Sequence, residues 1–196
     1  MKFGAYGHCL FDCVYPFVCP EPPNKQWPYA PNFIFKTTAN YIQEHFKGVW
    51  FWWEPDAIPL KRDWLTTLTQ EMAKGNKPFM GHIVEGMGHM NGVGFYPAKL
   101  NLYYTYKNDQ VTAAWDYEMT PQVIKQVHKA NHLIQHIWNI TAKGAHSNHS
   151  DGEPLVFKSM DDVNKWIKKD AVLFHRSKNG SLAKVLFENS CPPTSS

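Results

Sequence analysis

No stretch of about 18 apolar residues occurs in the 196-residue sequence, so no membrane-spanning helix is predicted. The first residues also lack a basic segment leading into an apolar one, because Asp12 and several small or polar residues intervene; a soluble, cytoplasmic protein without a secretory signal is expected. Charge of one sign is scarce. A formal net charge of +3 falls short of the footprint that announces nucleic-acid binding by itself, and suits an anionic small substrate such as a sugar nucleotide equally well. Cysteine is sparse too. Of the four, Cys9, Cys13 and Cys19 lie near His8 at spacings that match no common zinc pattern, so reduced thiols are expected. The sequons at Asn139, Asn148 and Asn179 would matter only in a secreted protein. Internal repeats are missing, and the length fits one domain with a sizeable core.

Aromatic residues are plentiful, eight of them Trp, and most are expected in the core. Residues 1–32 hold too many prolines for a helix interior and are predicted to form an ordered loop pinned by Trp27 and Tyr29. Over 33–46, Phe33, Ile34, Tyr41, Ile42 and Phe46 recur at helical spacing, with Gly48 as the stop. The run 49–53 (Val-Trp-Phe-Trp-Trp) is too short for a helix and apolar enough for a buried strand, expected at the centre of a mostly parallel sheet. Asp63 is placed to cap a helix over 63–74, whose Trp64, Leu65, Leu68 and Met72 share one face. A strand over 79–84, a loop punctuated by Gly86, Gly88, Gly92 and Gly94, and a helix over 121–138 follow. Residues 143–153 read as a flexible loop. Short strands are expected at 156–157 and 171–174, around a helix at 161–169, and residues 191–196 as a disordered tail.

The chemistry begins at Glu54-Pro55-Asp56. Two carboxylates at i and i+2, held across a proline at the end of an apolar strand, repel each other unless a cation neutralises them, and a hard divalent ion is the natural partner. Carboxyl ends of strands are where open α/β sheets bind ligands.

The segment Trp50-Phe51-Trp52-Trp53-Glu54-Pro55-Asp56-Ala57-Ile58-Pro59-Leu60 resembles the D-x-D element of GT-A glycosyltransferases, in an E-x-D form. The similarity continues through Lys77-Pro78-Phe79-Met80-Gly81, through His89-Met90-Asn91-Gly92-Val93-Gly94-Phe95-Tyr96-Pro97, and into the late segment Phe174-His175-Arg176-Ser177-Lys178-Asn179-Gly180-Ser181-Leu182. It covers roughly 33–185, and the arrangement is similar to glycosyltransferases of phage and bacterial genomes. The resemblance implies a single GT-A-like α/β catalytic domain over 1–190, its sheet mostly parallel and flanked by helices, and a nucleotide-diphospho-sugar donor. It implies a divalent cation held by Asp56, with Glu54 on the metal or the donor ribose and His175 as third ligand. Mn²⁺ is favoured over Mg²⁺ because imidazole is a softer donor than Mg²⁺ usually accepts. Lys178, with Arg176 as competitor, would meet the diphosphate. His89, Asn91 and Gly92 would line a sugar or acceptor pocket, and Asp116 would serve as catalytic base. Only 53 residues precede Glu54, fewer than the family's nucleotide-binding unit, so that unit is missing or compressed, or the Pro-rich segment replaces its contacts. The acceptor is left open between a glycan, a small metabolite and a modified base of phage DNA.

Other classes share parts of this pattern. A glycan- or nucleic-acid-binding module on the same scaffold would keep the aromatic residues and lose the chemistry. A metal-dependent phosphoesterase would gather Asp, Glu and His but usually needs more converging acids.

Overall fold

Tyr29–His45 forms helix α1, in which Asn32, Phe35 and Ala39 recur at i, i+3 and i+7 and make one buried face. The computed structural model describes residues 17–85, 88–100, 113–137, 139–140, 146–147 and 153–190. The expected N-terminal loop is therefore shorter than 1–32. Pro31 falls in the first turn of α1, where no intrahelical N–H bond is lost, so proline does not exclude helix there. Trp27 is 70% exposed and borders a surface cleft, so it is not the buried anchor expected of it. Cys9, Cys13 and the tail 191–196 lie outside the described residues.

After α1, Gly48 takes φ +97°, a conformation suited to glycine, and turns the chain into strand β1 (Val49–Trp52). Next come β2 (Ala57–Pro59), α2 (Trp64–Lys74), β3 (Phe79–Ile83) and β4 (Met90–Pro97). Helix α3 (Trp115–Val123) runs through a 3₁₀ turn at Ile124–Gln126 into β5 (Val127–Lys129) and β6 (Ile134–His136). The remainder comprises β7 (Asn139–Ile140), β8 (His146–Ser147), β9 (Glu153–Pro154), α4 (Met160–Trp166), β10 (Leu173–His175) and α5 (Ser181–Ser190). No helix among the described residues is long and apolar enough to cross a membrane.

The fold is α/β, with mixed sheets. One sheet has the order β1-β4-β3-β5, with β4 antiparallel to both neighbours and β5 parallel to β3. The second is β2-β10-β6, with β2 antiparallel and β6 parallel to β10. The third is a small antiparallel set, β8-β7-β9. The expected mostly parallel sheet is thus corrected, and β1 is an edge strand, not a central one. Its aromatic run is covered by helices instead: Trp50 and Trp52 face Phe35 of α1, while Phe51 on the opposite face packs against Trp64 of α2. Val49, beyond that cover, is 52% exposed.

Three other expectations give way to tertiary pairing. The region 121–138 is not one helix, because Val127 pairs with Phe79 and Ile134 with Leu173. The glycine-rich stretch up to Gly94 is not all loop, because from Met90 it is a buried strand. A Cβ at Gly94 would lie 2.4 Å from the Met80 carbonyl oxygen, so glycine there permits close strand approach. Residues 156–157 form no strand, although Phe157 is buried against Phe174. Leu68 and Met72 of α2 meet Met80, Phe95, Ile134 and Leu173 in the core that joins the two larger sheets. α4 and α5 close the molecule over Phe174 with Val163, Leu182 and Val185.

Candidate metal centre

The acids stand on a tight turn. Ala57 N–H donates to Glu54 O at 3.0 Å, which makes Glu54-Pro55-Asp56-Ala57 a β-turn with proline at its favoured second position. Trp53 Nε1 donates to Ala57 O at 2.7 Å and braces the turn from outside. Both carboxylates are thereby fixed at the junction of β1 and β2.

His175 arrives through the second sheet. Antiparallel pairing of β2 with β10 sets His175 opposite Ala57, and Ser177 N–H extends the ladder by donating to Asp56 O at 3.0 Å. The imidazole Nε2 lies 3.1 Å from Glu54 Oε2 and 3.1 Å from Asp56 Oδ1. One ligand atom from each of Glu54, Asp56 and His175 lies within 4.8 Å of the others, a donor set of two carboxylates and one imidazole that suits a divalent cation such as Mn²⁺. Arg176, immediately after the histidine, has φ +86°, a left-handed conformation unusual for a non-glycine residue, at the bend that follows His175.

Burial and charge oppose each other here. Burial raises the Asp56 carboxyl, but the His175 hydrogen bond and charge, with Lys178 and Arg176, outweigh it and leave the pKa below the ordinary value. For His175, burial pulls the pKa down, while hydrogen bonds with Asp56 and Glu54 push it above the usual imidazole value. Lys178 Nζ stands 3.8 Å from Asp56 Oδ2 on a largely exposed side chain, a weak pair.

Around this centre the structure gathers most of the other candidates. Asp116 occupies the first turn of α3, whose N-terminus is tied to α1: Asn32 Nδ2 donates to Ala113 O, and Trp115 N–H donates to Asn32 Oδ1 at 2.6 Å. Burial, then the charge of Glu54, raises the Asp116 pKa to about 6. His89 Nε2 is 3.9 Å away, and burial lowers that imidazole's pKa. A cleft of about 350 Å³ has Trp27, Val84 and two alanines in its largely apolar wall and converging polar groups from His89, Asn91, Asp116 and Arg176, a size and character suited to a small ligand held by a few polar contacts. A larger groove of about 530 Å³, beside Lys47 and Lys99, contains none of the clustered acids and carries no argument for the site.

No protein-family model, curated protein or solved structure matches the chain.

Two expected pocket residues prove to have internal work. Asn91 Oδ1 lies 2.6 Å from His175 Nδ1, on the ring edge away from the acids. At Gly92 a Cβ would come within 2.6 Å of Glu54 Oε1 and 3.2 Å of the Trp115 ring, so glycine leaves the space that Glu54 occupies. Trp52 Nε1 donates to the same Oε1 at 3.3 Å. His136, Asn32 and Trp52 were not candidates from the sequence. His136 Nδ1 sits 3.2 Å from His175 Nδ1, and its position inside an expected helix concealed it. The β-branched residues Val127 and Ile134 are the signal that favours strands there.

Proposed function

We propose that the chain is a metal-dependent glycosyltransferase that moves a sugar from a nucleotide-diphosphate donor to an acceptor hydroxyl. The supporting observation is the convergence of Glu54, Asp56 and His175, from two chain segments, beside a cleft that also presents Asp116. The three residues would hold Mn²⁺ or Mg²⁺, which when bound supplies charge neutralisation for a diphosphate leaving group. In transfer, the bond from the anomeric carbon to the diphosphate oxygen breaks and a bond to the acceptor oxygen forms. Asp116 accepts the acceptor's proton: a carboxyl with a pKa of about 6 is largely ionised at neutral pH and is a stronger base than an ordinary carboxylate. Lys178, largely exposed, offers a positive charge to the departing phosphates. The acceptor class spans a glycan, a metabolite and a modified DNA base, and a cytoplasmic setting belongs to the same reading.

Sugar transfer or donor hydrolysis, measured across a panel of sugar nucleotides with and without Mn²⁺, tests this. Asp56→Asn removes the charge but not the size, and activity should fall by on the order of a hundredfold or more, the effect of losing a principal electrostatic stabiliser. Folding should survive with some loss of stability, since the substitution gives up the favourable His175 and Lys178 contacts that hold the Asp56 pKa down. Undiminished transfer by a folded Asp56→Asn protein would remove the assignment. Donor binding without turnover in the wild type would make the chain a binding module instead.

A further inference from the structure

Asn91 is an amide side chain in the interior of the first sheet, on a strand otherwise made of apolar residues, glycine, tyrosine and a terminal proline. A buried amide there is costly unless its polar atoms are engaged. Val93 N–H donates to Asn91 Oδ1 at 3.2 Å, which identifies that atom as the oxygen and fixes the orientation of the amide. The same oxygen stands 2.6 Å from His175 Nδ1. A carbonyl oxygen only accepts, so the hydrogen of this contact belongs to Nδ1. Nε2 faces Glu54 and Asp56 at 3.1 Å, and carboxylates also only accept, so without a cation that nitrogen holds a hydrogen as well; a bound cation would take that hydrogen's place, leaving Nδ1–H on Asn91 and the Nε2 lone pair for the metal.

His136 does not replace this contact. Its Nδ1 lies 3.2 Å from His175 Nδ1. The two rings can share a hydrogen, but nitrogen against nitrogen permits either ring to donate and specifies no tautomer. Asn91 permits only one. We propose that Asn91 is the positioning residue of the centre, holding His175 so that the Nε2 lone pair is directed to the cation that Glu54 and Asp56 share. The inference rests on the cation-site reading above and gives Asn91 a role apart from contact with a sugar. Partners of this kind behind a metal-binding histidine commonly change affinity by about 10–100-fold when removed.

The test uses the full chain in three forms, wild type, Asn91→Leu and Asn91→Asp, with two readouts. The first is Mn²⁺ affinity by titration calorimetry. The second is long-range ¹H–¹⁵N NMR of His175 in protein loaded with diamagnetic Zn²⁺, which reports the nitrogen that carries hydrogen. Loaded wild type should show hydrogen on Nδ1 and none on Nε2. Asn91→Leu should lose that pattern and bind Mn²⁺ about 10–100-fold more weakly. Asn91→Asp keeps an acceptor in place and should retain both. Hydrogen on Nε2 in loaded wild type overturns the proposal, as does Asn91→Leu binding Mn²⁺ as tightly as wild type. If Asn91→Leu does not fold, Asn91→Asp decides: loss of the Nδ1–H pattern in that variant is equally fatal. Wild type that binds neither Mn²⁺ nor Zn²⁺ would sink the cation site, whereas binding without the Nδ1–H pattern would sink the role of Asn91 alone.

Discussion

Asp116 shows how burying one carboxyl sets charge against stability. It lies in the first turn of α3, where the helix dipole favours a negative charge, yet its side chain is only 16% exposed and Glu54 is near. Burial and that neighbouring charge win, and the pKa rises from 3.8 to about 6. Between those two values the folded protein binds a proton that the unfolded chain has released. Stability therefore falls as pH rises from about 4 to about 6, and the loss is complete above that window. A shift of this size corresponds to on the order of 2–3 kcal/mol. Asp116→Asn has no charge to desolvate, so it should be more stable than wild type at pH 8 by on the order of 2 kcal/mol and nearly equal at pH 4, while transfer is lost. Urea midpoints at the two pH values check this, and an equal difference at both would contradict the burial of an ionised Asp116.

At the scale of elements, α1 holds the aromatic edge of the first sheet to the site. Phe35 is fully buried, stacks on Trp115 with centroids 3.5 Å apart, and meets Trp50, Trp52 and Tyr96 at tilted or edge-on angles. One turn earlier, Asn32 ties down the start of α3. Truncating Phe35 to alanine removes the ring from four aromatic contacts and should cost about 3–5 kcal/mol, the range for a buried aromatic. Denaturant unfolding measures the loss, and near-ultraviolet circular dichroism should report the loosened tryptophans. A cost below about 1 kcal/mol would mean that α1 is not anchored through this residue. Helix α2 was legible from its periodic Leu68 and Met72 and from Gly75 at its end, since a helix is specified by residues within a few turns of one another. Asp63 does precede it, although its side chain does not accept the capping bond expected of it and instead meets Thr67 Oγ1 at 3.4 Å. The stretch over 121–138 was not legible in this way, because its apolar spacing satisfies a helix while Phe79 and Leu173, far along the chain, supply strand partners.

For the molecule as a whole, a cation held by Glu54, Asp56 and His175 would couple to folding. Glu54 and Asp56 reach their places through a β-turn and His175 through the β2–β10 pairing, so an unfolded chain retains only the local pair of acids. A ligand that binds the folded state alone stabilises it by about 2.7 kcal/mol when present at a hundred times its Kd. For a domain of this size that is a rise in Tm of roughly 5–10 °C. Mn²⁺ should produce such a rise in wild type, chelation should reverse it, and His175→Ala should lose most of it in calorimetric scans. Identical melting with Mn²⁺ and with chelator would argue against a site assembled by the fold.

The sequence by itself determined what neighbours along the chain decide: the turn that sets Glu54 and Asp56 two residues apart, the apolar alternation that divides Trp50 and Trp52 from Phe51, and the amphipathic helix α2. His175 is also expected near Asp56, as the third ligand that the family resemblance implies. They do meet, through antiparallel pairing, in which the start of β2 lies beside the end of β10. Tertiary structure alone decided that β1 lies at an edge and that Asn91 backs His175 with its amide. It also decided that Gly92 makes room for Glu54 and that His136 joins the group. The physical reason is register: strand pairing carries His175 across 121 residues to Glu54, and no local pattern of hydrophobicity records which strands will pair or which atoms their pairing will face together.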